Sequence, residues 1–107
     1  MSISAIMSIS VSGMQAHQTR LAATANNVAN AMTPRYDRLE TEFVAAETGG
    51  VAASVAPLDQ PTLDEAAVDL SSEILSLTES KIAFEANAAV WETGADIWDV
   101  LMSIKRD

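Results

Sequence analysis

The chain has no cysteine, one histidine, three prolines and four glycines in 107 residues. Without cysteine there is no disulfide framework, no thiolate metal site and no cysteine nucleophile. Aromatic residues make up 5% of the chain although hydrophobic residues reach 49%. An alanine-rich composition of this kind favours closely packed helices over a thick core, in at most one small domain. Positive charge is also scarce, with 6 Lys and Arg against 15 Asp and Glu and a net charge of −9. Arg20, Arg35 and Arg38 against Asp37 give the first 38 residues +2, so the overall −9 less this +2 leaves −11 on the remainder. A surface of that sign repels phosphates, which excludes nucleic acid as a partner, and anionic membrane surfaces. No run approaches the ~18 apolar residues of a membrane span. The first ten residues hold Ile3, Ala5, Ile6, Met7 and Ile9, interrupted by serines and preceded by no Lys or Arg, and do not read as a cleaved secretory signal.

Catalytic groupings are equally sparse. His17 has no Asp or Glu within a turn, so no local acid–base dyad supports it, and it reads as a surface or interface residue. Glu73, Glu79, Glu85, Glu92, Asp96 and Asp99 lack the histidines of a Glu-x-x-His metal motif and read as a wet face, or as partners for Arg20, Arg35 and Arg38 of a neighbour. No phosphate-binding glycine loop and no Gly-x-Ser-x-Gly elbow occurs. The expectation is a non-enzyme with no metal or cofactor.

Helical periodicity fills that space. Residues 64–106 contain no proline and one glycine, Gly94. Leu70, Ile74, Leu77, Lys81, Phe84, Ala88, Trp91, Ala95, Trp98 and Met102 follow alternating four- and three-residue steps, with Lys81 the one polar member. Ile82, Ala86, Val90, Thr93, Ile97, Val100 and Ile104 form a second series beside the first. One partner helix needs one such stripe, so this helix has a stripe to spare. Residues 2–32 carry the same step in Met7, Val11, Met14, Gln18, Leu21, Ala25, Val28 and Met32, with Ser4 or Ser8 as candidate caps. Gly13 lies inside this helix, where it marks either a fraying start or a close backbone approach.

Three asparagines, Asn26, Asn27 and Asn30, crowd the end of the first helix, although asparagine amides compete for helix backbone groups. Thr33 precedes Pro34, so the helix stops by Met32. Asn26 and Asn30 share a face, and the cluster reads as a buried or interfacial polar network beside Val28 and Met32. Farther on, Leu39, Thr41 and Phe43 alternate with Glu40 and Glu42, and Gly49-Gly50 signals a turn. The pattern predicts a hairpin within residues 36–56. Asp59 to Thr62 then forms a link, with Thr62 or Asp64 as cap of the last helix and Thr62 with Glu65 at capping-box spacing. The predicted fold is mainly α, an antiparallel, coiled-coil-like pair of long terminal helices (2–32 and 64–106) with a short hairpin or irregular loop at 36–61. An exposed apolar stripe on such a pair marks an assembly protein.

The run Asn26-Asn27-Val28-Ala29-Asn30-Ala31-Met32-Thr33-Pro34-Arg35-Tyr36 strongly resembles the Asn-Asn-Ile/Val-Ala-Asn-Ala-Asn-Thr-Pro-Gly-Tyr segment that ends the first helix of flagellar basal-body rod proteins. The Ile-Ser-x-Ser-Gly opening at Ile9–Gly13 is most similar to the C-type proximal rod protein. At the other end, Val68–Ile74 and Ala83-Phe84-Glu85-Ala86-Asn87 resemble the family's C-terminal helix. Met32 and Arg35 depart from the family's Asn and Gly, and the middle is shorter than in typical C-type members. The resemblance implies an axial subunit of the flagellar basal body, exported by the flagellar type III apparatus without signal cleavage, whose terminal helices build the periplasmic, torque-transmitting rod with copies of itself and other rod proteins.

On that basis Asn26, Asn27, Asn30, Tyr36, Leu70, Ile74, Ile82, Phe84, Asn87, Val90, Trp91, Ile97, Trp98 and Ile104 are the expected packing and interface residues. Leu70, Phe84, Trp91 and Trp98 are assigned to the contact with the first helix, and Ile82, Val90, Ile97 and Ile104 to neighbouring subunits. Two other assignments use the same residues. Trp91-Glu92-Thr93-Gly94 is similar to the Trp-x-Gly turn of small helical-hairpin proteins of type VII secretion, with one residue too many between Trp and Gly. A coiled-coil adaptor is the other.

Overall fold

The computed structural model describes residues 2–58 and 68–105. Helix α1 spans Ile3–Ala29, strands β1 and β2 span Leu39–Ala45 and Val51–Pro57, and helix α2 spans Leu70–Lys105. The mainly α architecture with a hairpin between two antiparallel helices is the one the periodicities predicted.

Ser2, rather than Ser4 or Ser8, caps α1, its hydroxyl accepting the Ala5 N–H at 3.1 Å. A serine here is worth about 1 kcal/mol over alanine because it satisfies a backbone donor that the first turn leaves free. α1 ends at Ala29, short of the predicted Met32, with the Asn30 N–H directed at the Asn26 and Asn27 carbonyls. The cap positions proposed for α2, Thr62 and Asp64, and the Thr62–Glu65 box lie outside the described residues, as does the 59–62 link. Val68 and Asp69 precede the helix instead of belonging to it. Asp69 does the capping: its carboxylate accepts the Ser71 N–H at 3.0 Å and the Ser72 hydroxyl at 3.1 Å.

The hairpin is antiparallel, pairing Leu39 with Pro57 and Ala45 with Val51. Gly49 and Gly50 turn it at φ 93° and 87°. Leu39, Thr41 and Phe43 are half-buried and face α1, while Glu40 and Glu42 face outward, following the predicted alternation. β2 is tied to α1 through Ser12, whose hydroxyl donates to the Ile9 carbonyl at 2.6 Å and accepts the Val51 N–H at 3.2 Å.

α1 is thus covered by the hairpin and by α2, whereas α2 meets α1 alone among the described elements. Apolar burial is slight. The only buried hydrophobic residues among those described are Ala16 and Ala23, and twelve of the sixteen large hydrophobics that stay exposed are on α2. The helices meet through small and polar side chains. Glu73, Ser80 and Gly94 are buried and Asn87 is half-buried. These four recur at seven-residue spacing, so on the 3.5-residue period of two packed helices they form one line. Opposite them on α1 lie the buried Gly13, against Asn87, and Asn27, against Glu73. A Cβ on Gly13 would sit 2.5 Å from the Asn87 Oδ1, and one on Gly94 would sit 2.6 Å from the Met7 Cγ. Gly13 therefore marks a close approach of the helices, not a frayed start. Gly94 likewise lies deep in α2, so Trp91–Gly94 is continuous helix and forms no turn.

Candidate functional site

The site has two parts: a polar node that fixes the helix pair, and the surface that this pairing leaves uncovered. The node centres on Asn27, which is 1% exposed. Its Nδ2 donates to the Leu39 carbonyl at 2.8 Å and to Glu73 Oε2 at 3.3 Å. Its Oδ1 accepts the Leu39 N–H at 2.7 Å and the Tyr36 hydroxyl at 2.9 Å. Both donors and both acceptor positions of the amide are filled. Asn27 holds the backbone of Leu39 as a neighbouring strand would, and so sets where β1 begins against α1.

Glu73, on the first turn of α2, is fully buried and forms an ion pair with Arg38, just before β1. A buried carboxylate is tolerated when it is paired and hydrogen-bonded, and losing one partner of such a pair costs about 3–5 kcal/mol. Burial, and secondarily the negative charge of Glu73, push the Tyr36 hydroxyl above its ordinary pKa. It therefore stays a neutral donor to Asn27. The node joins α1, the entry to β1 and α2, and its groups satisfy one another. Its chemistry is positional.

A second contact lies about two turns back along α1. The Arg20 guanidinium donates to the Ser76 hydroxyl at 3.2 Å, approaches Glu79 at 3.7 Å and lies 5.8 Å from the centre of the Phe43 ring. His17 meets Phe43 edge-on at 5.0 Å. The imidazole is half-buried between helix and hairpin instead of lying on the surface, and its Nδ1 is enclosed without a hydrogen-bond partner among the described residues. Burial, then the Arg20 charge, hold its pKa below the ordinary histidine value.

The surface is that of α2. Its contact stripe (Glu73, Ser80, Asn87, Gly94) falls between the two apolar series and leaves them flanking it. Neither series is seated wholly on α1. Phe84 is half-buried, but Leu70, Trp91 and Trp98, assigned to the α1 contact, remain 46%, 43% and 52% exposed, close to Val90 and Ile97 on the other flank. Ile74, Ile82 and Ile104 are more exposed still. Two apolar grooves follow, one lined by Ile3, Ile6, Val90 and Ile97, the other by Met7, Ala95 and Trp98. Beyond Trp98, α2 continues through Val100, Leu101, Met102 and Ile104, all exposed.

The asparagine cluster divides in two. Asn27 is the buried member, whereas Asn26 and Asn30 bond each other at 2.8 Å near the helix end, with Thr33 donating to Asn30 at 3.1 Å. Among the described residues they reach no backbone outside their own helix end. Asn87 caps nothing; its amide donates to the Ala83 carbonyl at 2.8 Å while filling the space above Gly13. Glu73 and Glu79 meet Arg38 and Arg20 of the same chain, not of a neighbour. Sequence reasoning took Glu73 and Arg38 for surface charges or partners between subunits and missed their buried pairing within one chain. The available signal was Glu73 standing first in the seven-residue series. No group of His, Asp and Glu among the described residues is arranged to hold a metal ion.

Residues 7–36 match the family model described as "Flagella basal body rod protein". The chain is 49% identical over 45 residues to the flagellar hook protein FlgE of Brucella suis biovar 1, and equally so to those of Brucella abortus biovar 1 and Brucella melitensis biotype 1. In each case the match covers 42% of this chain and 11% of the relative, so it spans about a tenth of the hook protein's length. The resemblance carried by Ile9–Tyr36 is that of a flagellar rod-family segment, and the matched stretch includes the node residues Asn27 and Tyr36.

Proposed function

We propose that this chain, with its rod-family N-terminal segment, is a structural axial subunit of the bacterial flagellar basal-body rod. It polymerises through its terminal helices into the shaft that transmits torque across the periplasm. The observation that carries this is the placement of α2. The helix uses a small, polar stripe to fold on α1 and keeps both apolar flanks, including Trp91 on one and Ile97 on the other, for other subunits. Repeated contacts of that kind that do not close into a ring give a helical filament. The polar node sets the register of α1, the hairpin and α2 within the subunit.

Its partners in this reading are copies of itself, other rod proteins and the flagellar type III export apparatus, with no cleaved signal and no cofactor. The Ile9–Gly13 opening supports a proximal station. None of the described helices is long and apolar enough to cross a membrane, in keeping with a subunit that is passed through the export channel. A second reading, a place in the hook, is favoured by the three hook proteins among the relatives.

The test is a strain carrying Trp91→Asp and Ile97→Asp together. Both positions are solvent-exposed in the isolated chain, so the fold and secretion persist, and swimming is lost. Normal swimming with both changes would refute the proposal.

A further inference from the structure

The two ends of the molecule differ in a way that assembly through helix flanks does not explain. At the end where α1 terminates, Met32 is 92% exposed. Three residues on, Arg35 adopts φ 57°, the one non-glycine residue in the left-handed region among those described. That conformation is unfavourable for a residue with a Cβ and freely open to glycine. Arg20 and Arg38 are paired with Glu79 and Glu73, but Arg35 has no carboxylate within ion-pair distance among the described residues. A strained, unpaired cation beside a fully exposed methionine points to a contact outside the subunit.

The opposite end carries the complement. Ser4, Met7, Ala95, Trp98 and Asp99 line a groove of about 230 Å³. Its walls are apolar at Met7 and Trp98, and its rim carries the Asp99 carboxylate, which has no cation partner among the described residues. We infer that a second copy of this chain docks here head to tail: Met32 enters the groove against Met7 and Trp98, and Arg35 pairs with Asp99. A guanidinium over the Trp98 face adds cation–π attraction. The contact is heterologous, with different surfaces on the two sides, so it repeats along one axis instead of closing as a symmetric dimer. The molecule is 69 Å long, and the contact sets the C-terminal end of α1 in one copy against the start of α1 and the late turns of α2 in the next. It deepens the axial-subunit reading and rests on it: the flanks of α2 give lateral contacts, and this pair gives the longitudinal one.

Because the chain contains no cysteine, a Ser4→Cys/Met32→Cys variant of the full chain reports the contact directly. These positions are 28 residues apart along a nearly all-helical stretch, which holds them roughly 40 Å from each other, far beyond disulfide reach within one molecule. Oxidation under assembly conditions is expected to yield a ladder of covalent oligomers. Arg35→Glu in that background should reduce the ladder about tenfold by placing like charges together, and Arg35→Glu with Asp99→Arg should restore it. Assembly of the unmodified chain seen by light scattering, with no ladder or a ladder indifferent to Arg35→Glu, overturns the head-to-tail contact alone. Failure of the unmodified chain to assemble overturns the axial-subunit reading and this contact with it.

Discussion

Replacing Asn27 by alanine removes one small amide and orphans four groups. The Leu39 N–H and carbonyl, the Tyr36 hydroxyl and one oxygen of Glu73 each lose a partner now at 2.7–3.3 Å. An intramolecular hydrogen bond contributes about 1 kcal/mol net, and a buried group left without one costs about 1–3 kcal/mol. Tyr36 and Leu39 are half-buried and regain some water, so the sum is nearer four single bonds than four full desolvation penalties. The expected loss is about 3–5 kcal/mol, a large part of a small domain's stability. Equilibrium denaturant unfolding by far-UV circular dichroism measures it. Hydrogen exchange at the Leu39 amide should accelerate in parallel, because Asn27 Oδ1 is its acceptor. Asn26→Ala is the control: its amide makes one exposed i, i+4 bond, worth at most about 0.5 kcal/mol. Asn27→Asp should be at least as damaging as alanine at neutral pH, since it sets a second carboxylate beside Glu73, and should recover partly as the pH falls. An Asn27→Ala loss below about 1 kcal/mol, or equal losses at Asn26 and Asn27, would refute the reasoning.

Four further outcomes follow from the same geometry. Gly13→Ala should destabilise by about 1–3 kcal/mol despite alanine's better helix propensity, because its Cβ meets the Asn87 amide; pairing it with Asn87→Ala should recover most of that in thermal melts. Arg35→Gly should raise the free chain's stability by about 1 kcal/mol by relieving the left-handed strain, measured by the same unfolding assay. For His17 the folded-state pKa is depressed, so the unfolded chain binds its proton first; stability should be intact above about pH 6.5 and fall as the pH drops below it, a slope that His17→Gln removes. For Tyr36 the folded pKa is raised, so its contribution is present below about pH 10 and declines above it; Tyr36→Phe should abolish that alkaline decline while costing about 1 kcal/mol at neutral pH.

How much of this was legible beforehand follows from which interactions are local. The hairpin could be read because Leu39, Thr41 and Phe43 alternate with glutamates and the Gly49-Gly50 turn is adjacent in sequence. Both helices could be read from their apolar steps. The contact face of α2 could not, because the residues that touch α1 are Glu73, Ser80, Asn87 and Gly94, which a hydropathy pattern scores as gaps between two apolar series. Glu73 read as one more solvated carboxylate because its burial depends on an antiparallel register that brings Arg38 and Asn27 to it from more than thirty positions away. The asparagine run announced a polar network, but only the fold distinguishes buried Asn27 from Asn26 and Asn30, which bond each other at the helix end. Arg35 stood out as a departure from a glycine position, and the backbone shows the consequence in its positive φ.

The central claim is that α2 folds on one stripe and assembles through its flanks. Quantifying the epitope-tagged chain in isolated basal bodies, beside its Trp91→Asp/Ile97→Asp variant, tests that most directly. The chain should be recovered with the rod in near-constant amount per basal body, and the variant should appear in the secreted fraction but not in the basal body. Absence of the unmodified chain from basal bodies, or normal incorporation of the variant, would contradict the account.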